Sequence, residues 1–323
     1  MIWDNPTSPK ASRDTVINIY EAQRINKIKS TIIVAGFFVF IATAVYILVQ
    51  ATSVYMGYEF GGLGFMGIAL IISGISSYVG YYYSDRIVLS ISKAREADRK
   101  KDFNFYTVSE NLAIASGIKK PKLYVIDDSA PNAFATGRDP EHAVICATTG
   151  LLDKLNRTEL EGVIAHELTH IKNYDTRLMS VVSVLVGIVA LLGDWFLRIG
   201  FHGRKSDNDK GQLGAIFLIL GLVFAILSPI IAQLIQLAVS RRREFTADAG
   251  SVFITKQPQG LIMALEKISA DMEPLEVANK ATAHLYIVSP FKGNVKGAVG
   301  RFAGLFNTHP PVKDRVKVLS DMV

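Results

Sequence analysis

Thiol chemistry is almost absent from this chain, whose single cysteine is Cys146. One thiol cannot close an internal disulfide, so folding needs no oxidising compartment, and its setting in the apolar run 143–147 reads as core packing rather than as a nucleophile. The first thirty residues do not read as a signal peptide, since they mix charges of both signs without a short basic start and a cleavage site. The first apolar run is therefore expected to be a retained anchor. There is no internal repeat and no low-complexity tract, which sets solenoids and disordered scaffolds aside.

Apolar residues are plentiful. The 323-residue chain is 50% hydrophobic against 20% charged, and its mean hydropathy of +0.28 is too high for an ordinary soluble protein unless the apolar residues are segregated. They are segregated, into runs 31–49, 60–83, 178–197 and 213–239, each long enough to cross a hydrocarbon core of about 30 Å at about 1.5 Å per residue. Lys10, Arg13, Arg24, Lys27 and Lys29 precede the first run, and Arg86, Lys93, Arg95, Arg99, Lys100 and Lys101 follow the second, whereas the intervening loop 50–59 has no Lys or Arg. This bias predicts that both flanks face the cytoplasm. The net charge of +6 sits beside the apolar runs, so membrane lipid rather than nucleic acid is the expected partner.

The expected organisation is a cytoplasmic N-terminal segment (1–30), two transmembrane helices (31–83), a first soluble part (84–177), two further apolar helices (178–239) and a second soluble part (240–323). Arg198, Arg204, Lys205 and Lys210 in the third loop run against the positive-inside rule, and Asp194 lies near the end of the third run. The third and fourth helices are thus read either as full crossings or as a partly inserted hairpin. In the soluble parts, 122–126 and 143–147 are β-prone and form an expected strand pair. Thr158 with Glu161 has the capping-box spacing that opens a helix, and helical patterning recurs over 242–254 and 259–270.

Within the first of these helices, His166-Glu167-Leu168-Thr169-His170 has the H-E-x-x-H spacing, which stands two imidazoles one turn apart on one face. Such nitrogens can take two corners of a tetrahedral Zn2+. Glu244 and Asp248 share a face of a later helix, where Glu244 can supply a third ligand and Asp248 can accept the remaining N–H of a ligating histidine. Three protein ligands leave a fourth position for water, the arrangement of a catalytic site. Glu167 is then the candidate general base. Two apolar runs separate His170 from Glu244, so an even number of crossings returns the chain to the same side. The cleft is accordingly expected close to the bilayer surface, with membrane proteins or their exposed loops as substrates. The plain alternatives are that the histidines belong to an ordinary amphipathic helix and that Glu244 pairs with the arginines before it.

Taken with Pro131-Asn132-Ala133-Phe134-Ala135-Thr136-Gly137-Arg138, Arg243-Glu244-Phe245-Thr246-Ala247-Asp248 and Thr308-His309-Pro310-Pro311 followed by Arg315, the zinc motif resembles the HtpX-type membrane zinc peptidases, relatives of the CAAX prenyl proteases. The likeness runs from the first two apolar runs to the C-terminus. It implies an α+β, mainly helical fold, with a gluzincin-like peptidase domain joined to four transmembrane helices. It also implies one Zn2+ per chain, a multi-pass protein of the inner membrane with its site facing the cytoplasm, and proteolytic quality control of membrane or misfolded proteins. For single residues, it suggests that Asn132, Ala133 and Phe134 form an edge that aligns an extended substrate, and that His309 approaches the developing oxyanion. Arg315 then supports the site by pairing with an acidic residue, a solvated helix charge being the alternative. Without the resemblance, Asn132 reads as a turn residue and His309 as a loop histidine. His142, His202 and His284 match no ligand spacing.

Two other classes compete. An inert scaffold that retained a peptidase fold would be expected to lose the base or a ligand, yet Glu167, His166, His170 and Glu244 are all present. A transporter would need more spans and a charged pair among them. Because CAAX-processing enzymes enclose a chamber with more helices, general cleavage is the expectation.

Overall fold

The computed structural model describes residues 19–56, 63–203, 219, 223, 241–277, 281–291 and 310–322. Its first element, α1 (Ile19–Met56), has 38 residues and so extends about 57 Å at about 1.5 Å per residue. That is nearly twice a hydrocarbon thickness, so its polar first turns stand outside the apolar part. Helix α2 (Leu63–Tyr82) packs beside it, the Ser73 hydroxyl donating to the carbonyl of Phe38. The short α3 (Ser84–Ile91) follows.

The third expected apolar run lies in α7 (Asp175–Gly203). One of its faces meets α1, with Val181 and Leu185 against Phe37 and Ile41, while Leu178, Val182 and Val186 pack with Ala281. Among the described residues two helices are long and apolar enough to cross a membrane, over 23–43 and 175–193. Apart from residues 219 and 223, the fourth run, 213–239, lies outside the described residues, as does most of the loop 201–210. Ile32, Val39, Ile71, Ile75 and Leu191 are exposed on these helices, which suits side chains whose solvent is lipid.

The remaining part is built on a small mixed sheet in the order β1-β2-β4-β3. Strand β1 (Arg95–Glu96) runs antiparallel to β2 (Lys122–Ile126). Strands β2 and β4 (Val144–Thr148), expected as a pair, are parallel, with Leu123 opposite Ile145 and Val125 opposite Ala147. Parallel neighbours require a crossover, and here it contains a strand that alternation did not reveal: β3 (Ala133–Thr136), antiparallel to β4 at the sheet edge. All four β3 residues are buried, so no polar face reports its period.

Helices cover this sheet. Helix α4 (Phe103–Ser116) ends at Gly117, which takes the left-handed conformation with φ 70° that glycine reaches without strain. After α5 (Thr149–Lys154) comes α6 (Arg157–Lys172), the central helix of the core. Its capping box lies two residues before the expected Thr158 and Glu161. Asn156 Oδ1 accepts from the Glu159 amide at 3.0 Å, and Glu159 Oε2 accepts from the Asn156 amide at 2.9 Å. Both pairs have the right spacing; Glu159 is also held by Lys267 of α9 (Pro258–Ala270) at 2.7 Å, while Glu161 pairs with Arg157 at 3.0 Å. Helix α8 (Arg241–Thr255) crosses α6, where Ser251 donates to the Gly162 carbonyl at 2.9 Å. Helix α9 approaches so closely that a Cβ on Gly162 would lie 2.5 Å from the Leu261 amide nitrogen. Last comes α10 (Val312–Ser320), whose Leu319 enters the same core.

Candidate metal centre

Helix α6 presents His166 and His170 one turn apart, their rings edge to face with centroids 4.7 Å apart. Helix α8 brings Glu244 to the same point, and the ligand atoms of all three buried residues lie within 4.8 Å of one another. The two Nε2 atoms are 3.1 Å apart, His170 Nε2 is 3.5 Å from Glu244 Oε1, and His166 Nε2 is 3.8 Å from Glu244 Oε2. Ligands at about 2.0–2.1 Å from a tetrahedral zinc stand about 3.3 Å from each other. Both the donor types and the separations therefore suit zinc.

Each histidine is held from behind by a carboxylate. His166 Nδ1 meets Asp248 Oδ1 at 2.9 Å, and the buried Arg315 clamps Asp248 from two sides, through Nε to Oδ2 at 2.9 Å and Nη2 to Oδ1 at 2.6 Å. Arg315 also donates to the Ile287 carbonyl at 3.0 Å and stands 3.6 Å from Glu244. Burial alone would raise the Asp248 carboxyl, but the Arg315 charge and the His166 bond hold it below the usual carboxylate range. Arg315 thus sits inside the site and not on a solvated face. Sequence reading passed over the second carboxylate: Asp175 Oδ2 meets His170 Nδ1 at 3.0 Å. A helical spacing rule could not reach it, because Asp175 opens α7 after a turn in which Tyr174 has φ 60°.

Electrostatics separates the two imidazoles. Burial, and after it the charge of Arg315, lower His166 to about 4, which keeps it in the neutral form a metal requires. Burial would lower His170 too, but hydrogen bonds to Asp175 and Glu244 outweigh it and raise the group to about 10. The pocket therefore favours positive charge at that point. Glu167 lies beside both histidines, fully buried, and burial raises it to about 7 even though the Ala135 amide donates to it. A carboxyl so placed can exchange a proton near neutral pH.

The remaining expected residues fall into two groups. Asn132, Ala133 and Phe134 are buried at the start of the edge strand. The side chain of Asn132 donates to the Val288 carbonyl at 2.9 Å, the Ala133 carbonyl accepts from the Ile287 amide at 2.9 Å, and the Phe134 ring meets Tyr286 edge-on with centroids 5.1 Å apart. His309 lies outside the described residues, although the adjoining Pro310 is buried and leads into α10.

A helix carrying H-E-x-x-H, a glutamate from a second helix and a buried carboxyl beside them define a metal-dependent peptidase. The profile of Peptidase family M48 matches residues 99–323. The chain is similar to a protease HtpX homolog of Dictyoglomus thermophilum, 43% identical over 304 residues that cover 94% of each chain. Another from Caldanaerobacter subterraneus is 40% identical, covering 94% of this chain and 98% of its own, and one from Streptococcus uberis is 38% identical, covering 94% and 100%. The chain belongs to peptidase family M48 as an HtpX-type metallopeptidase. Ste24p of S. mikatae is a weaker likeness, with a TM-score of 0.43 and 17% identity over 94% of this chain and 66% of that one, too slight to bear on fold or chemistry.

Proposed function

We propose that this metallopeptidase is a membrane-bound zinc endopeptidase that hydrolyses peptide bonds of membrane or misfolded proteins in proteolytic quality control. The observation that carries the reading is the convergence of His166, His170 and Glu244 within 4.8 Å, beside a buried carboxyl and next to helices able to cross a bilayer. A zinc ion held by these three residues would supply Lewis-acid activation of a water and of the scissile carbonyl. Glu167 takes the proton of the attacking water and passes it to the leaving amine. Asp248 and Asp175 keep each ring's coordinating nitrogen aimed inward.

An extended substrate would run along β3, at Asn132, Ala133 and Phe134 and on to Ala135, whose amide reaches Glu167. The chain's own Ile287 already hydrogen-bonds to the Ala133 carbonyl there, so a substrate strand added to this edge would displace it or pair beyond it, at Ala135. His309 would steady the oxyanion. In its favour, α10 is fixed to the centre by Arg315, six residues further on. The basic flanks 10–29 and 86–101 support a cytoplasmic site at the inner membrane, with four crossings as the fuller topology.

Purified full-length Glu167→Gln should retain zinc and lose peptide hydrolysis by about 10²-fold or more; hydrolysis at the parental rate would contradict the reading. Comparing membrane proteomes of cells expressing the parent and the Glu167→Gln protein tests the substrate class. Membrane proteins should accumulate with the variant, and accumulation confined to soluble proteins would overturn that part.

A further inference from the structure

The polar first turns of α1 do more than precede an apolar run. Four consecutive residues joining α6 to α7 are each held by α1: Gln23 Nε2 donates to the Lys172 carbonyl at 2.9 Å, Asn26 Nδ2 donates to the Asn173 carbonyl at 3.0 Å, Lys27 Nζ lies 4.1 Å over the Tyr174 ring, and Asn26 Nδ2 donates to Asp175 Oδ1 at 2.7 Å. The other oxygen of Asp175 is the one that meets His170. Asn26 is buried, and its Oδ1 accepts from Arg243 Nη1 at 3.2 Å, the residue adjoining the ligand Glu244. Both protons of its amide and its oxygen are thus engaged, and the three contacts lead to both helices that supply ligands. The turn needs such restraint, because Tyr174 holds a left-handed φ of 60° that a residue with a side chain seldom adopts unaided.

We propose that Asn26 is a positioning residue for the metal centre, through which the anchor helix α1 fixes the α6–α7 turn, Asp175 and so the ring of His170. This rests on the zinc reading above. Its consequence is that metal retention depends on correct seating of α1, and a chain whose anchor is displaced would hold its metal loosely. The polar end of α1 works as a clasp, while its apolar remainder serves as the span.

The test uses the full-length protein in detergent, loaded with zinc, and follows zinc release to a chromophoric chelator. Asn26→Ala, and Asn26→Asp, which sets a third acceptor against Asp175 and the Asn173 carbonyl, should release zinc about tenfold faster or more, as loss of an outer partner does. Thr43→Ala, in the apolar part of α1, removes an exposed hydroxyl that bonds to the Val39 carbonyl at 2.8 Å and should release zinc at the parental rate. In an Asp175→Asn background the Asn26→Ala effect should shrink, because part of it runs through Asp175. Parental release rates in both Asn26 variants, or effects of Asn26→Ala and Asp175→Asn that simply multiply, would overturn the proposal. If the Asn26 variants cannot be purified folded, Gln23→Ala combined with Lys27→Ala decides: faster release supports the clasp and a parental rate removes it. A parental protein that binds no zinc would instead overturn the zinc reading, and this inference with it.

Discussion

His166 and His170 share a helix and a proposed ion, yet their supports run in opposite directions. Behind His166, Asp248 leads to Arg315 and the Ile287 carbonyl, all inside the peptidase core. Behind His170, Asp175 leads to Asn26 of α1, a helix able to cross a membrane. One ring is thus referenced to the folded core alone and the other to α1 as well, although Arg243 of α8 stands 3.8 Å from the Asp175 oxygen that Asn26 meets. The two ligands, a turn apart, also hold opposite charge preferences: burial and then Arg315 disfavour a proton on His166, whereas on His170 hydrogen bonds to Asp175 and Glu244 outweigh burial and favour one. The difference in support teaches that the centre cannot be understood from the soluble part alone.

The most damaging break is on the core side. Arg315→Leu would leave Asp248 buried without its guanidinium, at a cost of about 3–5 kcal/mol. Thermal unfolding of the purified protein should show a large loss of stability, whereas Arg315→Lys, which keeps the charge without the fork, should lie between. Unfolding of Arg315→Leu at the parental temperature would show that the core-side support is dispensable.

Next come the two carboxylates themselves. Asp248→Asn and Asp175→Asn should each weaken zinc binding by about 10–100-fold, measured by competition with a chelator. The comparison sharpens on the next step: adding Thr43→Ala should alter neither, while adding Asn26→Ala should alter the Asp248→Asn protein more than the Asp175→Asn protein. Equal sensitivity of both would erase the distinction between the two supports.

Helix α6 carries both rings, so displacing it should affect them alike. Gly162→Ala would put a methyl 2.5 Å from the Leu261 amide nitrogen, and overpacking of this kind costs about 1–3 kcal/mol. Lower stability with zinc loss of a similar size in Asp175→Asn and Asp248→Asn backgrounds is the expected outcome. The smallest effect concerns Cys146. Burial pushes its thiol well above the usual range, so alkylation of the folded protein by a maleimide should be negligible and should become complete in denaturant. Rapid labelling of the folded protein would contradict the assignment to the core.

What the sequence made legible was whatever is local. The two histidines and Glu167 lie within five residues of one helix, and helical geometry alone places them together. Glu244 and Asp248 are read in the same way on α8, and their meeting with α6 required only that the chain return to one side. The box that opens α6 lies two residues before the expected one because Thr158–Glu161 and Asn156–Glu159 share a spacing, and spacing alone cannot choose between them. Strand β3 escaped alternation because every side chain in it is buried. Asp175 and Asn26 escaped because their partnership joins positions far apart in sequence across a left-handed turn. No periodicity records such a contact; a polar residue at the head of an apolar helix was its one trace.

The central claim is that two separated stretches of chain share one ion. Zinc K-edge X-ray absorption of the purified full-length protein and of Glu244→Ala tests it most directly: the parent should show nitrogen and oxygen neighbours at about 2.0–2.2 Å with the outer-shell scattering of two imidazoles, and Glu244→Ala should bind zinc more weakly with an altered first shell. A parental shell lacking imidazole scattering, or a Glu244→Ala protein with parental zinc affinity and an unchanged shell, would contradict it.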